Sequence, residues 1–221
     1  MKKGIGLLSG GLDSSVSLAI AKRKRINIIF ALTFDYGQKS ILQEIKAGRK
    51  ICLYLNIRHK VIKLEWFKNL VKELPLVNKK RKVPHLFISD LNKSVITSKS
   101  AGDVWIPNRN GIFINIAAAF AESANADYII TGFNKEEAKT FPDNSPGFIK
   151  ATTKALTWGT RNKVKVVSFT IGMDKFDIIR KGIELKLPLK YTWSCYAGGS
   201  NPCGKCESCV RKERALKKLN S

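Results

Sequence analysis

The chain has 221 residues and a formal net charge of +23, from 40 lysines and arginines against 17 aspartates and glutamates. That length accommodates one domain with a real core and at most a small appendage, and no apolar run reaches the ~18 residues of a membrane-spanning helix. Met1-Lys2-Lys3 runs straight into a short strand with no signal-peptide pattern, so a cytoplasmic location is expected.

The first apolar run, Ile5 to Leu8, breaks into Ser9-Gly10-Gly11-Leu12-Asp13-Ser14-Ser15, and an apolar helical segment follows from Val16 to Ala21. A strand, a glycine turn and a helix start in that order present free backbone N–H groups to an anion. The paired glycines allow a sharp turn and a close approach. Ser14 and Ser15 add hydroxyl donors, and Asp13 adds a carboxylate able to hold a magnesium ion. No lysine follows Gly11, which excludes a Walker A loop. Gly4-Ile5-Gly6 does not complete a dinucleotide fingerprint, because its third glycine is out of place.

Ile26 to Phe34 reads as a second buried strand, ending at Asp35-Tyr36-Gly37-Gln38. Ser40 caps a helix to about Leu55, and His59 to Leu64 alternates as a third strand. This βαβαβ opening predicts a parallel, doubly wound α/β sheet with helices on both faces. Trp66 to Leu74 reads as a short helix. The basic stretch from Pro75 to Ser100, which contains Lys79-Lys80-Arg81-Lys82, is long enough for a lid or an interface insert. Ile106-Pro107-Asn108-Arg109-Asn110 precedes an apolar helix, Ile112 to Ala124. Asp127 to Thr131 reads as the fourth strand, with Gly132-Phe133-Asn134 at its end. A loop from Lys135 to Phe148, a helix from Ile149 to Leu156, a fifth strand from Val164 to Phe169 and a helix from Lys175 to Leu185 complete the pattern. Ligand groups in such sheets gather at the carboxyl ends of the strands. Ser9–Ser15, Asp35–Gln38, Asn108–Asn110 and Gly132–Asp143 should therefore converge.

Cys52 stands alone in a predicted helix, while Cys195, Cys203, Cys206 and Cys209 cluster near the end. In a cytosolic chain such clustering points to a metal rather than to disulfides. Two overlapping C-x-x-C steps plus Cys195 supply four soft ligands, which suits structural zinc. An iron–sulfur cluster or a catalytic persulfide cysteine is the alternative. The expected organisation is a catalytic domain over residues 1–190 with a small zinc knuckle over 191–221.

Ser9-Gly10-Gly11-Leu12-Asp13-Ser14 resembles the PP-loop of the ATP pyrophosphatase superfamily, whose members cleave ATP between the α- and β-phosphates and adenylate a substrate. With Phe34-x-Tyr36-Gly37-Gln38, Pro107-x-Arg109-Asn110, Phe141-Pro142-Asp143, Ser194-Cys195-Tyr196 and the Cys203-to-Cys209 motif, the whole chain resembles the 7-cyano-7-deazaguanine (preQ0) synthase family. The resemblance implies a HUP-like fold and an ATP-dependent ligase of queuosine or archaeosine biosynthesis. It would convert 7-carboxy-7-deazaguanine and ammonia to the nitrile through adenylated intermediates and an amide. It places ATP along Leu8, Ser9, Gly10, Gly11, Leu12, Asp13, Ser14, Ser15, Val16, Ser17 and Leu18, with Asp13 and Ser14 catalytic. Mg²⁺ falls at Asp13 and one structural Zn²⁺ on the four cysteines. Tyr36 or Phe133 is expected to stack on the deazapurine, with Gly37, Gln38, Arg109, Asn110 and Asp143 as further contacts. The ordinary reading of these aromatics is core packing, and of Arg109 a loop cap.

Asn144 stands where many bacterial members carry cysteine, and Asn108 where glycine is common. The wording from Glu137 to Ser145 is closer to archaeal members. A PP-loop enzyme of tRNA thiolation or lysidine-type adenylation is the rival reading, and it would give the +23 charge a direct use. The lysines are spread over the chain without an aromatic-interleaved basic stripe. The charge is therefore read as solvated surface, with no stable nucleic-acid complex and a homodimer as the expected assembly.

Overall fold

The computed structural model describes residues 1–219; residues 220 and 221, the end of the expected 191–221 segment, lie outside the described residues. Five strands, β1 (Lys3–Leu7), β2 (Asn27–Asp35), β3 (Arg58–Lys63), β4 (Tyr128–Thr131) and β5 (Lys165–Ser168), form one sheet in the order β3-β2-β1-β4-β5. Every pairing is parallel. β-Branched and aromatic runs such as Asn27-Ile28-Ile29-Phe30 fit a pleated surface covered on both sides.

Two apolar clusters lie on opposite faces. One joins Phe30, Leu32 and Ile129 to Ile114, Ala117 and Ala121 of α5 (Arg109–Ser123) and to Phe67 of α3 (Glu65–Val71). The other joins Ala31 and Ile130 to Val16 and Leu18 of α1 (Leu12–Arg23), Ile51 and Cys52 of α2 (Ile41–Leu55) and Ile178 of α7 (Lys175–Glu184). The doubly wound reading therefore holds, and Cys52 is a buried core residue, its thiol pushed up to about 12 by burial.

The strand order reverses between β1 and β4, which opens a crevice at their carboxyl ends. The chain closes tightly there. A Cβ on Gly132 would lie 2.4 Å from the backbone N and Cα of Ser14. Behind this contact, the buried Ser17 hydroxyl donates to the Thr131 carbonyl at 2.6 Å.

Two helices were not legible in the sequence. α4 (Ser94–Asp103) lies at the end of the stretch read as a lid or insert, preceded by a 3₁₀ turn at Ile88–Asn92. Its serines, threonine and β-branched residues carry little helix propensity, and tertiary contacts decide it. Leu76, Val83 and Leu86 of the same stretch are buried, and the Leu86 N–H donates to the Lys205 carbonyl at 2.8 Å. α8 (Glu207–Leu219) extends the cysteine tail, burying Val210 and Ala215 while Lys217 and Lys218 face water. α6 (Pro146–Gly159) starts earlier than its apolar residues suggest, because the Ser145 hydroxyl caps it at the Phe148 N–H.

Gly132→Ala should force the turn away from β4 and lower unfolding stability by about 1–3 kcal/mol. A urea melt beside that of the exposed control Gly159→Ala, whose Cβ would meet nothing within 4 Å, checks it.

Candidate active site

The crevice is built first by the Ser9–Ser15 turn. Gly10 sits at φ +70°, and a Cβ there would meet the Glu44 carbonyl at 2.5 Å, so the turn needs glycine at this position. Gly11 is the N-cap of α1 and no side chain caps it, which leaves first-turn N–H groups for a ligand. Ser9 and Ser14 hydroxyls lie 3.2 Å apart, whereas the Ser15 hydroxyl donates back to the Gly11 carbonyl at 2.6 Å. Leu8, Ser9, Gly11, Asp13 and Ser14 line the cavity. Leu12, Val16 and Leu18 pack in the core, and Ser17 is held by Thr131.

Asp13 is the polar centre. Its Oδ2 accepts from Lys175 Nζ at 2.6 Å and from Asn134 Nδ2 at 3.3 Å, while Oδ1 is buried with no partner. Burial raises the Asp13 carboxyl above the usual carboxylate range; Lys175 opposes this and Glu137 adds to it. Burial alone would lower the Lys175 ammonium, but Asp13 and Glu137 outweigh it and hold the group charged. Lys175 Nζ is also 3.7 Å from Glu137 Oε1. Asn134 Oδ1 accepts from the N–H groups of Glu136 and Glu137, which fixes the loop carrying them.

The opposite wall carries Arg109, the first residue of α5, and Asn108 before it adopts the left-handed conformation at φ 50°. That conformation suits glycine best and asparagine next, which accounts for asparagine at this position. Burial disfavours the Arg109 charge, but the Tyr36 hydroxyl, which hydrogen-bonds to it, and the Asp143 carboxylate more than compensate. Tyr36 packs 5.8 Å from Phe113 and 5.9 Å from Phe67, and it still lines the cavity. Phe133, Asn110, Gln38 and Asn144 line it too. Asp143 lies behind Asn144, whose amide donates to its Oδ1 at 3.2 Å, and the Asn110 amide donates to its carbonyl at 3.4 Å. Gly37, at φ +82°, turns the chain with its N–H on Asp35 Oδ1 and is not part of the lining.

The cysteine tail closes the cavity. The Trp193 N–H donates to the Gly10 carbonyl at 2.8 Å, and Trp193, Ser194, Tyr196 and Ser208 all line the same space. Cys195, Cys203, Cys206 and Cys209 bring four Sγ atoms within 4.8 Å of one another, a group that could hold a metal ion. Hydrogen bonds from the Cys206 and Cys209 thiols hold the Cys195 thiol far below its ordinary value, against burial. The backbone N–H groups of Ala197 and Cys203 also donate to its sulfur. Glu207, between two of the cysteines, accepts from Ser100 at 3.0 Å and from Arg211 at 2.7 Å. Arg211 also donates to Glu136 at 2.9 Å, next to Glu137.

Lys175 and Glu44 were missed from the sequence, whereas Asn134 and Glu137 lie within the Gly132–Asp143 segment expected to converge but were not singled out as site residues. A signal existed for Lys175: it opens the helix after β5, at the carboxyl edge of the sheet, behind a capping Asp174. Nothing local marks Glu44.

A glycine turn feeding uncapped N–H groups into the switch-point crevice of a parallel sheet gives the chain a PP-loop-type α/β architecture. Solved structures agree at the level of fold: NMN synthetase from Francisella tularensis has a TM-score of 0.51 and 14% identity, covering 99% of this chain and 76% of that one. The U34-tRNA thiolase NcsA from Methanococcus maripaludis has a TM-score of 0.50 and 17% identity, covering 100% of this chain and 65% of that one. The chain belongs to the family of the queuosine biosynthesis protein QueC, whose sequence profile matches residues 3–220. It is 50% identical over 215 residues to the 7-cyano-7-deazaguanine synthase of Carboxydothermus hydrogenoformans, covering 97% of this chain and 98% of that protein. It is 48% identical over 218 residues to that of Methanosarcina barkeri, covering 97% and 94%.

Replacing Arg211 with methionine would leave the buried Glu207 carboxylate without a cation. The expected loss of stability is about 3–5 kcal/mol, read by urea unfolding.

Proposed function

We propose that the chain converts 7-carboxy-7-deazaguanine, ammonia and ATP into 7-cyano-7-deazaguanine. The observation that carries this reading is one continuous cavity. It joins the uncapped loop and Asp13, whose Oδ2 is held by Lys175 from behind, to an Arg109-bearing aromatic wall, in a chain with this family's motifs end to end.

A carboxylate is a poor electrophile, and adenylation gives it AMP as a leaving group. Attack by ammonia expels AMP and a proton and leaves the amide. A second adenylation, on the amide oxygen, lets AMP and another proton depart to give the nitrile, with one pyrophosphate released at each activation. The free N–H groups of the α1 first turn, with the Ser9 and Ser14 hydroxyls, receive the phosphates. Lys175, held charged by Asp13, meets the charge that develops as pyrophosphate leaves. Arg109, steadied by Tyr36 and Asp143, receives the carboxylate of the acid. Phe133 and Tyr36 supply faces for the deazapurine ring. Tyr196 and Trp193 shut the cavity from the tail side, which limits hydrolysis of the activated acid.

The partnerless Asp13 Oδ1 fits a divalent cation, and bound Mg²⁺ would act there as a Lewis acid. Four clustered sulfur atoms, two of which (Cys195 and Cys203) accept from backbone N–H groups, fit structural zinc at Cys195, Cys203, Cys206 and Cys209. Residues 1–190 then form the catalytic unit, and 191–221 the zinc-holding segment packed on it. Trp66 and Leu70, four apart on α3 and both exposed, offer a surface for a homodimer. The reading includes a cytoplasmic enzyme that forms no stable complex with nucleic acid.

Purified protein should form the nitrile from the acid, ammonium and Mg-ATP, followed by mass spectrometry. Asp13→Ala should lower kcat by about 10²–10³-fold. An untouched acid, with tRNA gaining sulfur or an amine adduct instead, overturns the reading. Elemental analysis should find one zinc per chain, and its removal by a chelator should release the tail and abolish turnover.

A further inference from the structure

Glu44 is a carboxylate without an ion pair in the wall of the main cavity. It lies in the first turn of α2, and among the described residues no lysine or arginine forms a salt bridge with it. Burial raises its carboxyl above the usual range, and Arg109, which lines the same cavity, offsets this only in part. The group is nonetheless held firmly. Its Oε1 accepts from the Ser40 hydroxyl at 2.5 Å and its Oε2 from Gln38 Nε2 at 2.9 Å. Gln38 is itself pinned, donating to the Phe34 carbonyl at 2.9 Å and accepting from the Tyr36 N–H at 3.0 Å. This strut reaches back to the end of β2, so the carboxylate cannot swing out to water.

Each carboxylate oxygen has more than one acceptor site, so both oxygens can still take donors from the cavity. A rigid, half-buried carboxylate that lines a ligand cavity without a cation is costly unless a ligand brings donors to it. The two bases proposed for this cavity differ in what they offer. A 7-deazaguanine presents two adjacent donors, N1–H and the 2-amino group, at the spacing of a carboxylate. Adenine presents one amino donor beside the lone pair of its N1, which a carboxylate repels.

We infer that Glu44 reads the N1–H and 2-amino edge of the deazaguanine acid and keeps adenine out of that subsite. The inference deepens the proposed reaction and rests on it. Glu44 would then be a specificity residue, set apart from the groups that act on the carboxylate.

The test compares the full-length wild type with Glu44→Gln for turnover of the acid and of 7-carboxy-7-deazahypoxanthine, which lacks the 2-amino group. Glu44→Gln should raise KM for the acid about 10- to 100-fold, leaving KM for ATP within about twofold and kcat within about threefold. The wild type should prefer the acid over the deamino analogue by a similar factor, and the variant should lose most of that preference. An unchanged KM for the acid overturns the inference. A raised KM for ATP alone assigns the carboxylate to the adenine amino group and overturns it too. If the variant does not fold, the wild type's ratio between the two acids decides, and equal KM values reject the inference. A wild type that converts neither acid fails the proposed reaction itself, and with it this inference.

Discussion

The contact between Gly132 and the backbone of Ser14 is the constraint on which the rest of the site depends. Parallel strands β1 and β4 lie side by side and send their helices to different faces, so their carboxyl ends part and leave a crevice. The free first-turn N–H groups open into this crevice only because α1 starts directly against β4. A side chain at position 132 would separate them. Because the two are pressed together, the Ser17–Thr131 hydrogen bond can form, and Asp13 is carried within reach of Asn134 and Lys175. The uncapped N–H groups, the lysine and the partnerless carboxylate oxygen all follow from that approach.

The cysteine tail is tied to the same centre from the opposite side. Its backbone bonds to Gly10, and its Trp193 and Tyr196 form a wall of the cavity. The segment that gathers four sulfur atoms thus shapes the cavity without presenting those atoms to it. Arg211 links Glu207, which lies between two cysteines, to Glu136, which neighbours Glu137. Buried ion pairs of this kind add little net stability over apolar packing, but they fix one arrangement among several. Here the arrangement fixed is that of α8 against the loop following β4.

The charge distribution follows from the site. Asp13, Glu44, Asp143 and Glu207 are drawn inward, where Lys175 faces Asp13, Arg109 faces Asp143 and Glu44, and Arg211 pairs with Glu207. The +23 surplus is carried mainly by exposed lysines and arginines spread along the chain.

Much of this was legible in the sequence because it depends on short-range chemistry. The runs Ile26–Phe34 and Asp127–Thr131 mark strands by composition, Ser9–Ser15 marks a sharp turn into a helix by its glycines, and the spacing of Cys203, Cys206 and Cys209 marks a cluster that could hold a metal. Each needs only neighbours within a few residues. Tertiary structure decided what pairs with what: that Lys175 reaches Asp13 across 162 positions, that Val16 and Leu18 turn to the core while Asp13 and Ser14 face the cavity, and that α4 and α8 are helices. It also decided that Glu44, in a stretch with no motif, belongs in the wall of the site. Such partners are chosen by the topology of the sheet, which brings distant loops to one edge. A local pattern can name the residues capable of chemistry, but the burial and alignment that give them a task arise only once the chain is folded.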